Sequence, residues 1–272
     1  PVRHRGCDLA FATAGAGPRV VFIQGVGVHG DGWRPQVASL SSRFECLTFD
    51  NRGLGRSLPL GEPLTVELMA DDTRAVMDAA GWNSAHVVGH SLGGLVALEF
   101  ALANRSRVES LALLCTFASG RDAAPMTARM VWTGMRTRIG TRVMRRNAFL
   151  ELVMPPRPRT GAELARMASE LEPLFGHDLA VQPPVASAQL SAMRRCDPSP
   201  RLRELAGIPV LVVSAAYDPI APPAAGRRLA DLLPGSRFVD LEDASHGVPI
   251  EQPGRINALL AEHAAAASGR RA

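Results

Sequence analysis

Three side chains in this sequence have the types that nucleophilic catalysis needs. Ser91 stands between glycines in the run Gly89–Gly94, Asp218 follows an apolar run, and His246 lies between a serine and a glycine. A serine hydroxyl is a weak nucleophile at neutral pH, so it needs a general base beside it and a carboxylate that orients the base. Together, Ser91, His246 and Asp218 form the hypothesis of a catalytic triad.

Ser91 is predicted to lie on a sharp turn from a strand to a helix. The preceding run Ala85–Val88 is short, largely apolar and β-branched, and the apolar residues after Ser91 recur at helical spacing. The glycines two residues on either side, Gly89 and Gly93, complete the pattern G-x-S-x-G, in which glycine lets the strand and the helix pass close together. The alternative interpretation is a glycine-rich turn with an incidental serine.

Asp218 and His246 are each predicted to lie on a loop that follows a strand. The apolar run at 208–214 precedes Asp218, and a helical pattern and a strand at 237–241 precede His246. A single aspartate after a strand is usually a turn residue or a helix cap. Asp240 and Asp243 are alternative acids, but they are too close in sequence to His246 to be preferred. Most of the other histidines are ordinary by position, since His4 and His263 lie near the termini, His86 in a strand and His177 in the middle region.

These motifs together resemble the α/β-hydrolase superfamily, in the branch with a lid inserted after the sixth strand. The segment Phe49–Ser57 resembles the D-x-R-G-x-G-x-S loop of these enzymes, and Pro209–Pro223 resembles their acid-bearing strand and loop. Ser245–Gly247 resembles the catalytic histidine loop, and the order serine, aspartate, histidine also agrees. The resemblance implies an α/β fold with a mainly parallel eight-stranded sheet flanked by helices.

Acyl transfer also requires N–H donors that stabilise the oxyanion. One donor is predicted at Leu92, the residue after the nucleophile. The second is predicted at Val26, in the loop after the strand Val20–Ile23, where members of the family usually have His-Gly and this chain has Gln24-Gly25. The donor is a main-chain group, so the change at Gln24 alters the hydrogen bonds around the loop rather than the donor itself.

The same loop also matches a dinucleotide-binding fingerprint, with Gly25, Gly27 and Gly30 after a strand and Asp50 about twenty residues later. An uninterrupted helix does not follow the third glycine, because the next residues are Asp31–Pro35. An oxyanion loop accounts for the same glycines, so no cofactor is expected. No metal is expected either, since the pair His86 and His90 lacks the glutamate and the helix of a zinc motif. The sequence contains no lysine, which excludes Schiff-base chemistry.

Composition favours one large α/β domain with an insertion. The chain has 272 residues, of which 46% are hydrophobic and 21% charged. No apolar run is long enough to predict a membrane span. Four cysteines without a C-x-x-C pair suggest reduced thiols and a cytoplasmic setting. Strand patterns stop between residues 119 and 207, so we expect a core formed by residues 1–118 and 208–272 and a helical lid at 119–207.

The lid is expected to select the substrate, because specificity is carried by the segments added to a fold. An apolar pocket is predicted from five lid residues: Met126, Met130, Trp132, Met135 and Phe149. The alternative is that these side chains pack the lid helices against each other. Residues 121–160 also hold nine arginines against Asp122 and Glu151. This excess predicts either a preference for anionic substrates or a solvated helix face, and it lacks the interleaved aromatic residues of a nucleic-acid groove.

The sequence therefore predicts a cofactor-independent serine hydrolase that acts on a small carboxylic ester, lactone or thioester. The resemblance also admits carbon–carbon bond hydrolases, perhydrolases and hydroxynitrile lyases, which use the same triad. Similar epoxide hydrolases and dehalogenases have aspartate where this chain has Ser91, and they are disfavoured. A hydrolase-like ligand receptor with slow turnover is an alternative from a different class.

Overall fold

The computed structural model describes residues 1–123 and 128–269, and for residues 128–131 it describes the backbone alone. The strands are β1 (Val2–His4), β2 (Cys7–Leu9), β3 (Phe11–Ala14), β4 (Arg19–Ile23), β5 (Glu45–Phe49), β6 (Ala85–His90), β7 (Val108–Leu114), β8 (Val210–Ala215) and β9 (Arg237–Leu241). The α-helices are α1 (Arg34–Leu40), α2 (Val66–Ala79), α3 (Leu92–Ala103), α4 (Ala128–Arg136), α5 (Arg142–Val153), α6 (Gly161–Phe175), α7 (Ala186–Arg195), α8 (Pro223–Leu232), α9 (Val248–Glu251) and α10 (Pro253–Ser268).

The central sheet has the order β3-β5-β4-β6-β7-β8-β9. All neighbouring strands are parallel except β3, which pairs antiparallel with β5. Successive residues of β4 pack on opposite faces: Val21 and Ile23 belong to one hydrophobic core, and Val20 and Phe22 belong to the other. Both faces are covered, which accounts for the nearly continuous apolar runs of the inner strands.

Counted over the described residues, the sheet has seven strands, so the expected number of eight is wrong. Arg5 and Gly6 both have positive φ, 41° and 78°, and such a turn folds a chain into a tight hairpin. Strand β1 therefore pairs with β2, with Val2 opposite Leu9, and the two strands form a sheet separate from the central one. The opening segment thus contains three short strands, β1 to β3. The helical insertion follows the seventh strand along the chain and not the sixth.

Helix α2 illustrates how local sequence sets the limits of an element. The helix runs from Val66 to Ala79, between Thr65 and Gly81. The Thr65 hydroxyl accepts a hydrogen bond from the Leu68 N–H at 3.1 Å, which satisfies a free donor of the first turn. Gly81 follows the helix and has φ of 72°. Glycine adopts this left-handed conformation at little cost, so the helix ends there.

The insertion between β7 and β8 contributes α4 to α7, and the part of it that the structure describes contains no strand. It has a small hydrophobic core of its own, formed mainly by α5 and α6 and including Leu150, Val153, Leu171 and Phe175. Val28, from the loop after β4, packs into the same cluster. The inserted helices therefore lie directly against a loop of the central sheet.

The loop after β5 is held by two buried aspartates. Asp50 accepts hydrogen bonds from the Gly30 N–H at 2.8 Å and the Arg56 N–H at 3.0 Å, so one carboxylate connects two loops. The Arg52 side chain is completely buried and pairs with Asp72 of α2 at 2.5 Å.

Within the described ranges, we find no helix with both the length and the apolar character to cross a bilayer.

Candidate active site

Ser91 lies at the junction of β6 and α3 with φ of 55° and ψ of −121°. A non-glycine residue with positive φ is strained and persists only where its surroundings hold it. Two hydrogen bonds do so here. The Ser91 N–H donates to the Leu114 carbonyl at 3.0 Å, and the Ser91 carbonyl accepts from the Thr116 hydroxyl at 2.7 Å. The end of β7 and the residues after it therefore fix the serine in its strained turn.

The two glycines around Ser91 are needed because backbone approaches them closely. A Cβ on Gly93 would collide with the carbonyl of Ile23 in β4, and a Cβ on Gly89 would collide with the carbonyl of Gly93. These contacts bring β4, β6 and the first turn of α3 together at one point. Both glycines of the G-x-S-x-G pattern are therefore required for steric reasons.

Asp218 and His246 come together although 28 residues separate them. The His246 Nδ1–H donates to Asp218 Oδ2 at 2.7 Å, and both side chains are buried. The other carboxylate oxygen, Oδ1, accepts from the N–H groups of Ile220 and Ala221, each at 2.8 Å. A carboxylate held this way keeps the proton of the imidazole on Nδ1 and leaves Nε2 as the basic nitrogen.

His90, the residue before the serine, contacts the histidine loop. Its Nε2–H donates to the His246 carbonyl at 2.8 Å, and the centroids of the two rings are 4.9 Å apart. Burial, with a smaller contribution from His246, lowers the pKa of His90 to about 3. His90 is therefore neutral at ordinary pH and acts as a hydrogen-bond donor to the histidine loop. The sequence pattern indicates no such role for His90, because a partner so distant along the chain leaves no local signal.

Further hydrogen bonds hold the histidine loop, two of them from the core and one from the insertion. The Ser245 N–H donates to the Glu251 carboxylate at 3.2 Å, and the Ser245 hydroxyl donates to the Tyr217 carbonyl at 3.1 Å. The Gly247 N–H donates to the Val153 carbonyl of α5 at 2.7 Å. Burial raises the pKa of Glu251. His246 is thus positioned by both the core and the inserted helices.

Ser91 and His246 open onto the same cavity, which has a volume of roughly 180 Å³. The other lining residues are mostly apolar: Gln24, Gly25, Val26, Val28, Gly32, His90, Phe149, Leu152, Val153, Phe175, Gln182, Leu190, Met193, Ile220, Gly247, Pro249 and Ile250. No acidic or basic side chain other than histidine is among these described lining residues. The cavity suits an uncharged, largely apolar group next to the serine.

The loop after β4 lies directly against Ser91. A Cβ on Gly25 would stand 3.1 Å from the Ser91 Cβ. The Gly25 N–H donates to the Gln24 side chain at 3.2 Å, and the Gly27 N–H donates to the Gln189 Oε1 at 2.8 Å. Among the hydrogen bonds of the described residues, the Val26 N–H between them has no acceptor.

The N–H of Leu92, the other predicted donor, lies in the first turn of α3. It also has no acceptor among the described residues. The first N–H groups of a helix have no partner within the helix and carry a partial positive charge, so they suit a negatively charged oxygen. Val26 and Leu92 therefore remain the predicted oxyanion donors, and both belong to segments that contact Ser91.

Two side chains of the insertion hold the peptide groups of Gly27, and neither was predicted from the sequence. Gln189 of α7 accepts from the Gly27 N–H, and the His177 Nε2–H donates to the Gly27 carbonyl at 2.9 Å. Gln189 is completely buried. These contacts join residues that are 162 and 150 positions apart, so no local pattern could indicate them.

The predicted pocket residues of the insertion lie in different places. Phe149 lines the cavity. Trp132 is 59% exposed, and Met135 lines a second, outer pocket instead. Met126 and the side chain of Met130 lie outside the described residues. Helical spacing could not separate Phe149 from Trp132, because it does not tell which face of a short helix turns towards the core.

A group of potential metal ligands lies beside the triad. Ligand atoms of His90, Cys115 and His246 lie within 4.8 Å of one another. The ring nitrogens described above donate to a carboxylate and to a carbonyl, and burial raises the pKa of the Cys115 thiol well above its ordinary value. A thiol that stays protonated is a poor metal ligand, since metals bind the thiolate.

Comparisons with known proteins agree with this architecture. The profile of the alpha/beta hydrolase family matches residues 20–259. A protein of Azorhizobium caulinodans named "Putative carbamate hydrolase RutD" is 30% identical over 265 residues, which cover 96% of each chain. Two solved structures are also similar. The enol-lactonase of Burkholderia xenovorans LB400 has a TM-score of 0.79 at 27% identity, covering 95% of this chain and 96% of the other.

The second solved structure is a thermophilic esterase from Thermogutta terrifontis. It has a TM-score of 0.76 at 28% identity, and the match covers 96% of this chain and 94% of the esterase. The family profile spans most of the chain, and the relatives match over nearly their whole length. The chain belongs to the alpha/beta hydrolase family and is a hydrolytic enzyme.

Proposed function

We propose that this chain is a serine hydrolase that cleaves carboxylic esters or related acyl bonds through an acyl-enzyme on Ser91. The proposal is carried by the position of two side chains. Ser91, in its strained turn, and His246, hydrogen-bonded to Asp218 at 2.7 Å, open onto a common cavity. A nucleophile, an oriented base and an apolar chamber are the parts that acyl transfer requires.

The mechanism follows from these positions. His246 Nε2 takes the proton of the Ser91 hydroxyl as the oxygen attacks the substrate carbonyl, and Asp218 stabilises the imidazolium that forms. The imidazolium then protonates the leaving alcohol as the tetrahedral intermediate collapses to the acyl-enzyme. A water molecule, deprotonated by His246, attacks the acyl-enzyme, and His246 then returns this proton to the Ser91 oxygen as the acid leaves. Each step moves one proton between neighbouring groups, and no cofactor is required.

The N–H groups of Val26 and Leu92 are proposed to bind the oxygen that becomes negative in the tetrahedral intermediate. Donors of this kind are worth on the order of 3 kcal/mol each in the transition state. The absence of competing acceptors for both groups among the described residues supports this role. The hydrogen bonds to Gly25 and Gly27 on either side of Val26 support a fixed orientation of the donor.

The similar proteins support an acyl substrate. Their names denote hydrolysis of a carbamate, a lactone and an ester, all of which contain a carbonyl carbon that a serine can attack. The cavity wall adds that the group beside the serine is apolar. Residues 119–207 are proposed to act as a lid, since α5 and α7 supply Phe149, Leu152 and Leu190 to this wall. The four buried, free cysteines suit a cytoplasmic setting.

Hydrolysis of p-nitrophenyl esters by the wild type and by Ser91→Ala tests the proposal. We expect turnover by the wild type, loss of at least about three orders of magnitude in kcat for the variant, and labelling of Ser91 by a fluorophosphonate detected by mass spectrometry. Ser42→Ala, which changes an exposed serine far from the cavity, is the matched control. Turnover that survives in Ser91→Ala would falsify the mechanism.

Product analysis separates the other reactions that the same triad can perform. Release of an acid and an alcohol indicates an esterase, whereas cleavage of a carbon–carbon bond, formation of a peracid or release of cyanide would indicate one of the alternatives. Slow turnover with a large ligand-induced rise in Tm would instead indicate a receptor.

A further inference from the structure

We propose that the enzyme prefers substrates with a carboxylate at the end remote from the scissile acyl bond, bound by Arg138 and Arg194 in an outer pocket. The proposal rests on the proposed function and specifies its substrate class. The outer pocket has a volume of roughly 590 Å³ and lies between α4, α5 and α7. It is lined by Gly134, Met135, Thr137, Arg138, Phe149, Leu152, Gln182, Ser187, Leu190, Ser191, Arg194 and Arg195.

The outer pocket and the cavity at Ser91 share part of their walls. Phe149, Leu152, Gln182 and Leu190 line both. The two pockets are therefore adjacent, and in the proposed complex a substrate with its acyl bond at Ser91 passes these side chains to reach the outer pocket. Three of the four shared residues are apolar, so the connecting part of the substrate is expected to be a hydrocarbon chain or ring.

The outer pocket is strongly cationic. Three arginines line it, and its described lining residues include no aspartate or glutamate. Other arginines of the insertion have acidic partners: Arg136 pairs with Glu151 at 2.7 Å, and Arg142 pairs with Asp178 at 2.6 Å. Arg138 and Arg194 have no such partner among the described residues, so their charge is free to bind an anion.

Arg195 differs from the other two because its guanidinium is already engaged. It donates to the Ser191 hydroxyl at 2.5 Å and to the Leu64 carbonyl at 3.4 Å. These bonds hold it at the pocket wall, where it adds positive potential. Arg138 and Arg194 are exposed. Each guanidinium can donate two parallel N–H bonds to one carboxylate, which is the bidentate geometry typical of arginine.

Binding is tested first without turnover, on Ser91→Ala protein by isothermal titration calorimetry. The probes are monoethyl adipate, which carries one carboxylate, and diethyl adipate, its neutral match. We expect the monoanion to bind about fivefold or more tightly, and the difference to shrink at 0.5 M salt, because ion pairs at an exposed site are modest and screened. The added substitutions Arg138→Gln and Arg194→Gln are expected to abolish the difference.

The matched control is Arg203→Gln, which removes an exposed arginine outside both pockets and should leave the preference intact. Equal binding of the two adipates, or an unchanged preference after the double substitution, would overturn the proposal. Hydrolysis is then compared for p-nitrophenyl hexanoate and mono-p-nitrophenyl adipate by the wild type. If both esters are turned over equally well, the carboxylate site is refuted and the serine hydrolase proposal is not. If no turnover depends on Ser91, the proposed function is refuted, and the calorimetric result alone then decides whether the carboxylate site exists.

Discussion

Gln189 Oε1 accepts a hydrogen bond from the Gly27 N–H at 2.8 Å, so a helix of the insertion holds the loop that lies against the serine. The His177 side chain binds the carbonyl of the same glycine. Val26, the predicted oxyanion donor, directly precedes Gly27. The insertion is therefore linked to the chemistry of the site through the backbone as well as through the walls of the cavity.

Gln189→Ala is expected to lower kcat about tenfold with little change in KM. The substitution leaves the Gly27 N–H buried without an acceptor, and the loop should relax and misplace the Val26 N–H, which acts mainly in the transition state. Steady-state kinetics with an ester measures both constants. Gln189→Glu keeps an acceptor oxygen and should restore part of kcat, and Ser42→Ala, at an exposed serine outside the cavity wall, should change neither constant. A rise in KM alone would contradict the positioning role.

Asp218→Asn is expected to reduce kcat by on the order of 10⁴, because an amide no longer fixes the proton of His246 on Nδ1 or stabilises the imidazolium. The fold should survive, since the asparagine oxygen can still accept the N–H bonds of Ile220 and Ala221. Kinetics and circular dichroism check the two expectations. Asp243→Asn, at a highly exposed acid on the same histidine loop, is the control and should remain active. Comparable losses in both variants would argue against Asp218 as the acid.

His90 should make stability fall steeply in acid. Its pKa is lowered from 6.5 to about 3 in the folded protein, so between these values the unfolded chain binds a proton that the folded chain does not. The free energy of unfolding is then expected to decrease by about 1.4 kcal/mol for each pH unit below 6.5, and this contribution is absent above 6.5. Urea unfolding at pH 7, 6, 5 and 4 should show a shallower pH dependence for His90→Gln than for the wild type. Equal slopes would show that His90 is not held neutral.

Gly93→Ala is expected to destabilise the protein by about 1 to 3 kcal/mol and to impair turnover, because the new methyl collides with the Ile23 carbonyl and pushes α3 away from β4. Gly134→Ala is the matched control. It lies inside α4, and a Cβ there meets nothing within 4 Å. Alanine at this position should stabilise the helix slightly. Urea denaturation monitored by tryptophan fluorescence measures both changes, and similar effects of the two substitutions would contradict the steric explanation.

Local sequence determined much of the architecture. The turn at Ser91 follows from an apolar strand, a helical pattern and glycines within ten residues, and the limits of α2 follow from Thr65 and Gly81. The predicted strand at 237–241 matches β9 at both ends. Such features depend on steric and hydrogen-bonding preferences of neighbouring residues, which is why one sequence suffices to predict them.

Tertiary structure alone decided which distant groups meet. The bonds from Gln189 and His177 to Gly27, the separation of β1 and β2 from the main sheet, and the choice of Phe149 rather than Trp132 for the cavity wall all depend on how the insertion and the opening hairpin pack. Packing is set by the fit of surfaces that are far apart along the chain. The sequence therefore shows which residue types could do chemistry. The contacts that orient these residues, and the wall of the cavity beside Ser91, form only when the inserted helices pack against the central sheet.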